Sequence, residues 1–204
     1  MQRCPLTRIV LASGSPRRLE LLRSLGLEVD VVRSGYHEPP APSLRPVELA
    51  TRHAREKLTA VLSRGVPELP VVAADTVVDR DGTALGKPRD AGDAARMLRL
   101  LSGREHLVHT AFALAIPGGG AAVEEVSTTR VRFYVLTGDE IAAYVAGGDP
   151  LDKAGAYGIQ GGGAALVEAI DGDFYTVMGF PLGRFIRALC RLGFSLPVAK
   201  PTAP

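Results

Sequence analysis

Apolar and polar positions along this chain change their spacing repeatedly, and each change marks an element. Residues 7–12 form a short apolar run ending in Ser13-Gly14-Ser15-Pro16, after which Leu19, Leu22 and Leu25 recur at helical spacing. Ser15 as N-cap, Pro16 at the first helical position and Gly26 past the end predict a helix over 17–25. Residues 27–33 read as a strand and the proline-rich stretch 34–44 as a loop. Residues 46–64 predict a helix stopped by Gly65. Its inward stripe is Ala50, His53, Ala54, Leu58 and Val61, and the helical period places Lys57 inside that stripe.

Residues 71–78 are strongly β-prone, with Asp75-Thr76 in the middle and a hairpin turn at Asp81-Gly82. A helix over 90–102 is capped by Asp90 and closed by Gly103. Residues 107–116 and 128–135 predict strands joined through Gly118-Gly119-Gly120. Thr137-Gly138-Asp139-Glu140 is a capping box opening a helix that ends at Gly147-Gly148. Residues 164–170 and 175–178 read as strands around Asp171-Gly172, 181–192 as the last helix, and 195–204 as a frayed tail. Strands alternate with helices but also form hairpins, so the expected fold is α/β with a mixed sheet flanked by helices. No repeat or linker divides the chain, which predicts a single domain over 1–194.

Composition narrows the function classes. A formal charge of +2 with arginines interleaved among acids argues against a nucleic-acid partner. No apolar run approaches the roughly 20 residues of a membrane span, and residues 1–5 lack an apolar segment of the signal-peptide kind. Cys4 and Cys190 lie far apart without metal or redox spacing, so a cytoplasmic location is expected. The chain has twenty arginines but four lysines, no asparagine and two glutamines. Lysine is a compact point charge and arginine a planar fork. In so arginine-biased a chain, Lys57, Lys87, Lys153 and Gln160 therefore mark positions where a particular group is needed.

Several segments carry candidate chemistry. Ser13-Gly14-Ser15-Pro16-Arg17-Arg18 at a helix start offers free N–H groups, a positive dipole end, two hydroxyls and two guanidiniums to an anion. The alternative is an ordinary cap with solvated arginines. Asp75 sits mid-strand, where Asp is disfavoured, and must be paired, hydrogen-bonded or metal-bound. It suits a base that activates water or a ligand for a hard cation. Residues 82–88 mimic a P-loop but fail its spacing, and Pro88 stands where the magnesium-binding hydroxyl belongs. Five glycines in 152–163 let backbone approach a ligand closely. The Gln160 amide can donate and accept side by side, matching the edge of uracil or thymine. The four histidines, at 37, 53, 106 and 109, show no zinc spacing and are expected to be structural or solvated.

Taken together, LASGSPRRLELL (11–22), AADTVV to LGKP (73–88), LSGREH (101–106), DKAGAYGIQGGGA (152–164) and DFYTVMGFPL (173–182) resemble the Maf family of nucleotide pyrophosphatases along nearly the whole chain. The resemblance implies a long, twisted mixed sheet with two lobes around a cleft, similar to the inosine triphosphate pyrophosphatase fold. It implies hydrolysis of a nucleoside triphosphate to monophosphate and pyrophosphate with a divalent cation, Mg²⁺ or Mn²⁺. Matched position by position, Asp75 is the implied proton acceptor, and Arg17, Thr76 and Gln160 are implied in substrate choice. Ser13, Arg18, Glu38, Lys57 and Lys87 match the polar lining of the cleft. In the mechanism this suggests, Lys57 and Lys87 act with Asp75 in catalysis, and Glu38 and Asp75 hold the metal. The AYGIQG form looks like the branch acting on dTTP and UTP. Where the family often carries Asp-Glu-Thr, this chain has His37-Glu38-Pro39. The rival classes are a non-catalytic nucleotide-binding regulator of cell division and a pyrophosphatase of the 7-methyl-GTP branch. A homodimer is compatible with the sequence.

Overall fold

A computed structural model describes residues 4–39, 41, 43–65, 68–118 and 121–197. In chain order the elements are β1 (Cys4–Pro5), β2 (Arg8–Leu11), α1 (Pro16–Arg23), β3 (Glu28–Val31), α2 (Pro46–Leu62), β4 (Val71–Arg80) and β5 (Thr83–Leu85). They continue with α3 (Ala91–Leu101), β6 (Glu105–Ala115), β7 (Ala121–Phe133), α4 (Gly138–Ala146), β8 (Val167–Asp171), α5 (Phe174–Met178), α6 (Leu182–Arg191) and β9 (Phe194–Ser195). Between α4 and β8 the glycine-rich segment winds through three short 3-10 turns, Asp149–Asp152, Ala154–Ala156 and Gly161–Ala165.

The main sheet has seven strands in the order β3-β2-β4-β6-β7-β8, with β5 pairing β4 beside this path. β2 runs parallel to β3 and β4, and every other pairing is antiparallel, so the sheet is mixed as the alternation of hairpins and helices predicted. Residues on the two faces of β4 enter different cores. Val71, Ala73 and Val77 pack with the stripe of α2 (Ala50, Ala54, Leu58, Val61), where alanines on β6 let the helix approach closely. Val72 and Ala74 face the other way, into a core with Phe112, Phe180 and Phe185. Val78 joins a third cluster with Leu98, Phe133 and Ile141. Burying Leu58 or Val61 stabilises by about 1.5–3 kcal/mol each, and Leu58→Ala costs about 2–5 kcal/mol.

The feature that positions the site is a gap along β4. β2 is in register with Val71 and Val72, and β5 pairs from Val78 onward. Among the described residues, 73–77 therefore have no strand beside them on that edge, while β6 covers the other edge without a break. Side chains alternate between the faces of a strand, so Asp75 and Thr76 reach the gap from opposite sides.

Local capping follows the sequence closely. The Ser15 side chain accepts from Arg18 N, Pro16 opens α1, and the capping box at Thr137 and Glu140 opens α4. The β4–β5 turn has positive φ at Asp81 (50°) and Gly82 (83°), as a tight hairpin with the strand twist requires. Three expectations change. Residues 175–178 are not a strand: α5 forms because the Asp173 carboxylate accepts from Tyr175 N and Thr176 N, and Gly179 at φ 108° ends the helix. β7 begins at Ala121, seven residues before the expected start at 128. Ser195, expected in the tail, lies in β9, which pairs in parallel with β1. Gly119, Gly120 and the tail residues 198–204 lie outside the described residues. No helix among the described residues is long and apolar enough to cross a membrane.

Candidate active site

A cavity of about 1190 Å³ opens along the gap in β4. Its wall includes Arg17, Arg18, Glu38, Lys57, Asp75, Thr76, Lys87, Lys153 and Gln160, leaving out one of the site residues named from sequence. Ser13 is the exception. It is buried behind the wall, where its hydroxyl accepts from Ser15 N at 3.2 Å and from Arg18 Nη1 at 3.3 Å, so it braces the loop instead of lining the cleft.

The centre is an ion-paired triad. Lys57 Nζ lies 2.6 Å from Asp75 Oδ1 and 2.6 Å from Glu38 Oε1. The helical stripe aims Lys57 at the sheet, and the pleat of β4 turns Asp75 toward α2. Asp75 is 5% exposed and Lys57 8%, whereas Glu38 is exposed. Burial pushes the Asp75 carboxyl above the usual range, with the Glu38 charge adding to the shift, although Lys57 and Arg18 act against it. Glu38 is exposed as a residue, but its carboxyl end reaches into the cleft toward Lys57, and this partial burial is its largest single influence and acts upward. Lys57, Lys87 and His53 together outweigh it and hold the carboxyl below the usual range.

Arg18 and Arg17 behave differently despite being neighbours. Arg18 Nε donates to the Gly179 carbonyl at 2.9 Å, Nη1 to Ser13 Oγ, and Nη2 to Thr76 Oγ1 at 3.1 Å. Three of its five N–H groups are thus held by the protein, and Arg18 is a brace between α1, β4 and α5 as much as a ligand. Arg17 makes one long ion pair, 3.7 Å to the exposed Asp152, and its guanidinium can turn to an anion. Lys87 makes no ion pair or hydrogen bond among the described residues; its loop is tied to the glycine-rich segment by Gly155 N donating to the Gly86 carbonyl at 3.0 Å.

The glycine-rich segment closes the far wall. Lys153 pairs with Asp152 at 2.7 Å and runs its buried stem beneath Gly158, where a Cβ would meet Lys153 Cε at 2.8 Å. Gly155 at φ 68° packs against Val78, where a Cβ would lie 2.9 Å from Val78 Cγ2. Gln160 is exposed in the cleft and makes no cap bond to the 3-10 turn that follows it, which leaves its amide open to a ligand. Sequence reasoning missed one residue here and set another among the structural or solvated ones. Tyr144 on α4 accepts from Gly158 N at 3.1 Å and lines the cleft. His53, expected to be structural or solvated, is buried in the cleft wall with Nδ1 3.2 Å from the Tyr36 hydroxyl. The signal for His53 was its place in the same stripe as Lys57.

Among the described residues no group of three or more His, Cys, Asp or Glu could hold a metal ion. Glu38 and Asp75 nevertheless present two carboxylate oxygens to one cation, the Lys57 ammonium. Two carboxylates completed by phosphate oxygens and water form the usual environment of Mg²⁺ in nucleotide enzymes, so the donors fit a hard divalent cation.

A cationic cleft around one buried carboxylate on an open strand edge is the layout of an enzyme for polyanionic substrates. Residues 8–192 match the family of Maf-like proteins, and the chain belongs to that family. Among its relatives is the dTTP/UTP pyrophosphatase of Chromobacterium violaceum, 47% identical over 195 residues that cover 94% of this chain and 98% of that protein. The dTTP/UTP pyrophosphatase of Thermus thermophilus is 50% identical over 186 residues, 91% of this chain and 95% of the other. That of Escherichia coli is 48% identical over 177 residues, with 87% and 89% covered. Among solved structures, a nucleoside-triphosphatase / dITP/XTP pyrophosphatase from Mycobacterium abscessus superimposes with a TM-score of 0.41 at 20% identity, covering 91% of this chain and 96% of that one. The Ham1 protein of Staphylococcus aureus gives a TM-score of 0.40 at 12% identity, with 62% and 72% covered.

Proposed function

We propose that this chain hydrolyses dTTP and UTP to the monophosphate and pyrophosphate. The observation that carries the reading is the convergence of Asp75 and Glu38 on Lys57 at the open edge of β4, in a wall that also holds Arg17, Lys87 and Gln160. The activity for which relatives 47–50% identical over nine-tenths of the chain are named supports the choice of substrate.

The role of each residue follows from its surroundings. Arg17 and Lys87, the least engaged cations, receive the triphosphate with the N-terminal end of α1. Lys57 holds Asp75 in place and sets a positive charge against the charge that builds at the scissile bond. Asp75, held above the usual carboxyl range by burial, is the stronger base for it and takes the proton of the attacking water. The water oxygen bonds to phosphorus, the α–β bridging bond breaks, and pyrophosphate leaves with the bridging oxygen. Gln160 reads the base edge with its paired donor and acceptor. Glu38 and Asp75 would hold Mg²⁺ or Mn²⁺, which neutralises phosphate charge when bound. Solution scattering decides between a monomer and a homodimer.

The deciding experiment is pyrophosphate release from UTP, dTTP, CTP, GTP and 7-methyl-GTP with Mg²⁺ and the purified protein. UTP and dTTP should turn over fastest, and chelation should stop the reaction. Binding of UTP without turnover would make the protein a nucleotide-binding regulator instead. Preference for 7-methyl-GTP would move it to the other branch.

A further inference from the structure

Thr110 is fully buried on β6, directly across from Thr76 on β4, and forms no part of the cleft wall. Its hydroxyl donates to the Thr176 carbonyl of α5 at 2.7 Å. A threonine hydroxyl has one hydrogen, and a carbonyl oxygen only accepts. The hydrogen of Thr110 is therefore in use. The 2.9 Å contact between Thr76 Oγ1 and Thr110 Oγ1 must then run from Thr76 to Thr110. On its other side Thr76 Oγ1 accepts from Arg18 Nη2 at 3.1 Å. The chain of hydrogen bonds has a single direction, from Arg18 to Thr76 to Thr110 to the Thr176 carbonyl.

This direction decides what Thr76 can offer the cleft. Its hydrogen points to Thr110 and one lone pair faces Arg18, which leaves one lone pair and no hydrogen. A phosphate oxygen would meet that lone pair with like charge. The donors of a nucleoside triphosphate at neutral pH are the N–H groups of its base and the O–H groups of its sugar. We propose that Thr110 is a positioning residue that makes Thr76 an acceptor-only group, so that Thr76 receives an N–H or O–H of the nucleoside and takes no part in holding phosphate. The inference rests on the nucleotide reading above for its substrate half and on the hydrogen-bond geometry alone for its polarity half. The cleft wall is thereby divided, with Arg17 and Lys87 serving the phosphates and Thr76 facing the nucleoside.

Thr110→Val keeps the shape and removes the acceptor, and the Thr176 carbonyl keeps the Gly179 N–H at 3.1 Å as a partner. Catalytic efficiency with UTP should fall by about tenfold, the weight of one ordinary hydrogen bond. Inhibition by inorganic tripolyphosphate, which has no nucleoside, should stay within about twofold of wild type. Thr110→Ser should restore UTP hydrolysis. In a Thr76→Val background, Thr110→Val should cost nothing further, because the group it acts through is gone. Equal losses for UTP and tripolyphosphate, or the same loss in both backgrounds, would reduce Thr110 to a packing residue. NMR of the ligand-free protein tests the polarity separately. The Thr110 hydroxyl proton should remain slow to exchange in Thr76→Val, while the Thr76 hydroxyl proton should exchange fast in Thr110→Val; the opposite pattern overturns the assigned direction. If the two variants show the expected NMR pattern but the wild-type protein neither binds nor hydrolyses UTP, the nucleotide reading falls and the polarity stands.

Discussion

The Lys57 ammonium lies 2.6 Å from the Asp75 carboxylate and ties α2 to the open edge of β4. Asp75→Asn keeps the shape and leaves Lys57 paired with Glu38. UTP hydrolysis should fall by about 10²–10⁴-fold, the usual weight of a positioned base. The circular dichroism spectrum should be unchanged. Near-normal turnover would remove Asp75 from the chemistry.

Lys57→Met leaves Asp75 as a buried carboxylate without its cation, and breaking a buried pair from one side costs about 3–5 kcal/mol. Urea unfolding at pH 7 should show a loss of that size. Lys57→Arg should not restore activity, because a planar fork cannot replace a point charge between two carboxylates. Full activity in the arginine variant would show that charge alone is enough.

Gln160 stands in the cleft with its amide exposed. Gln160→Ala should lower the ratio of UTP to GTP hydrolysis while inhibition by tripolyphosphate stays the same. If the UTP and GTP rates fall together, the amide does not read the base.

A Cβ on Gly163 would overlap the Gly158 carbonyl. Gly163→Ala must therefore move the segment that carries Gln160. A displacement of about 1 Å at a binding group costs up to about 10²-fold, so the KM for UTP should rise well above wild type. An unchanged KM would show that Gly158 can yield without moving Gln160.

His106 is buried, with Nε2 2.7 Å from the Tyr157 hydroxyl and Nδ1 without a partner among the described residues. Burial, helped by the charge of Arg80, pushes its pKa down to about 4. The unfolded chain protonates near pH 6.5, so the unfolded state binds more protons between the two values. Stability is complete above about pH 6.5 and is lost as the pH falls toward about 4. The loss over this window amounts to about 3 kcal/mol at about 1.36 kcal/mol per unit. Urea midpoints from pH 7 to 4 should fall less steeply in a variant carrying both His106→Phe and Tyr157→Phe. Parallel curves would show that His106 keeps an ordinary pKa.

Much of the site was legible because its cues are local. The stripe of α2 placed Lys57 on the inner face, and an acid in the middle of β4 required a partner. Elements settled by distant contacts were not legible. The early start of β7 is one: Glu124 meets Arg55 at 2.6 and 2.7 Å and Glu125 meets Arg191, so β7 carries both acids with their charges paired. Tyr175-Thr176-Val177 look β-prone, and the Asp173 cap with Gly179 outweighed that preference over a single turn. The partners of Arg18 were also hidden, because Gly179 and Thr76 are far from it in sequence and close in space.

The gap along β4 has a second consequence, for self-association. A bare strand edge is a template on which another chain can add, and proteins guard such edges with charges that point inward. Asp75 and Lys57 supply that guard in the middle of the unpaired stretch. Filling the position with an apolar residue would leave the unpaired residues 73–77 uncharged and open to pairing. The carboxylate at the centre of the site thereby also works against edge-to-edge pairing of two such strands.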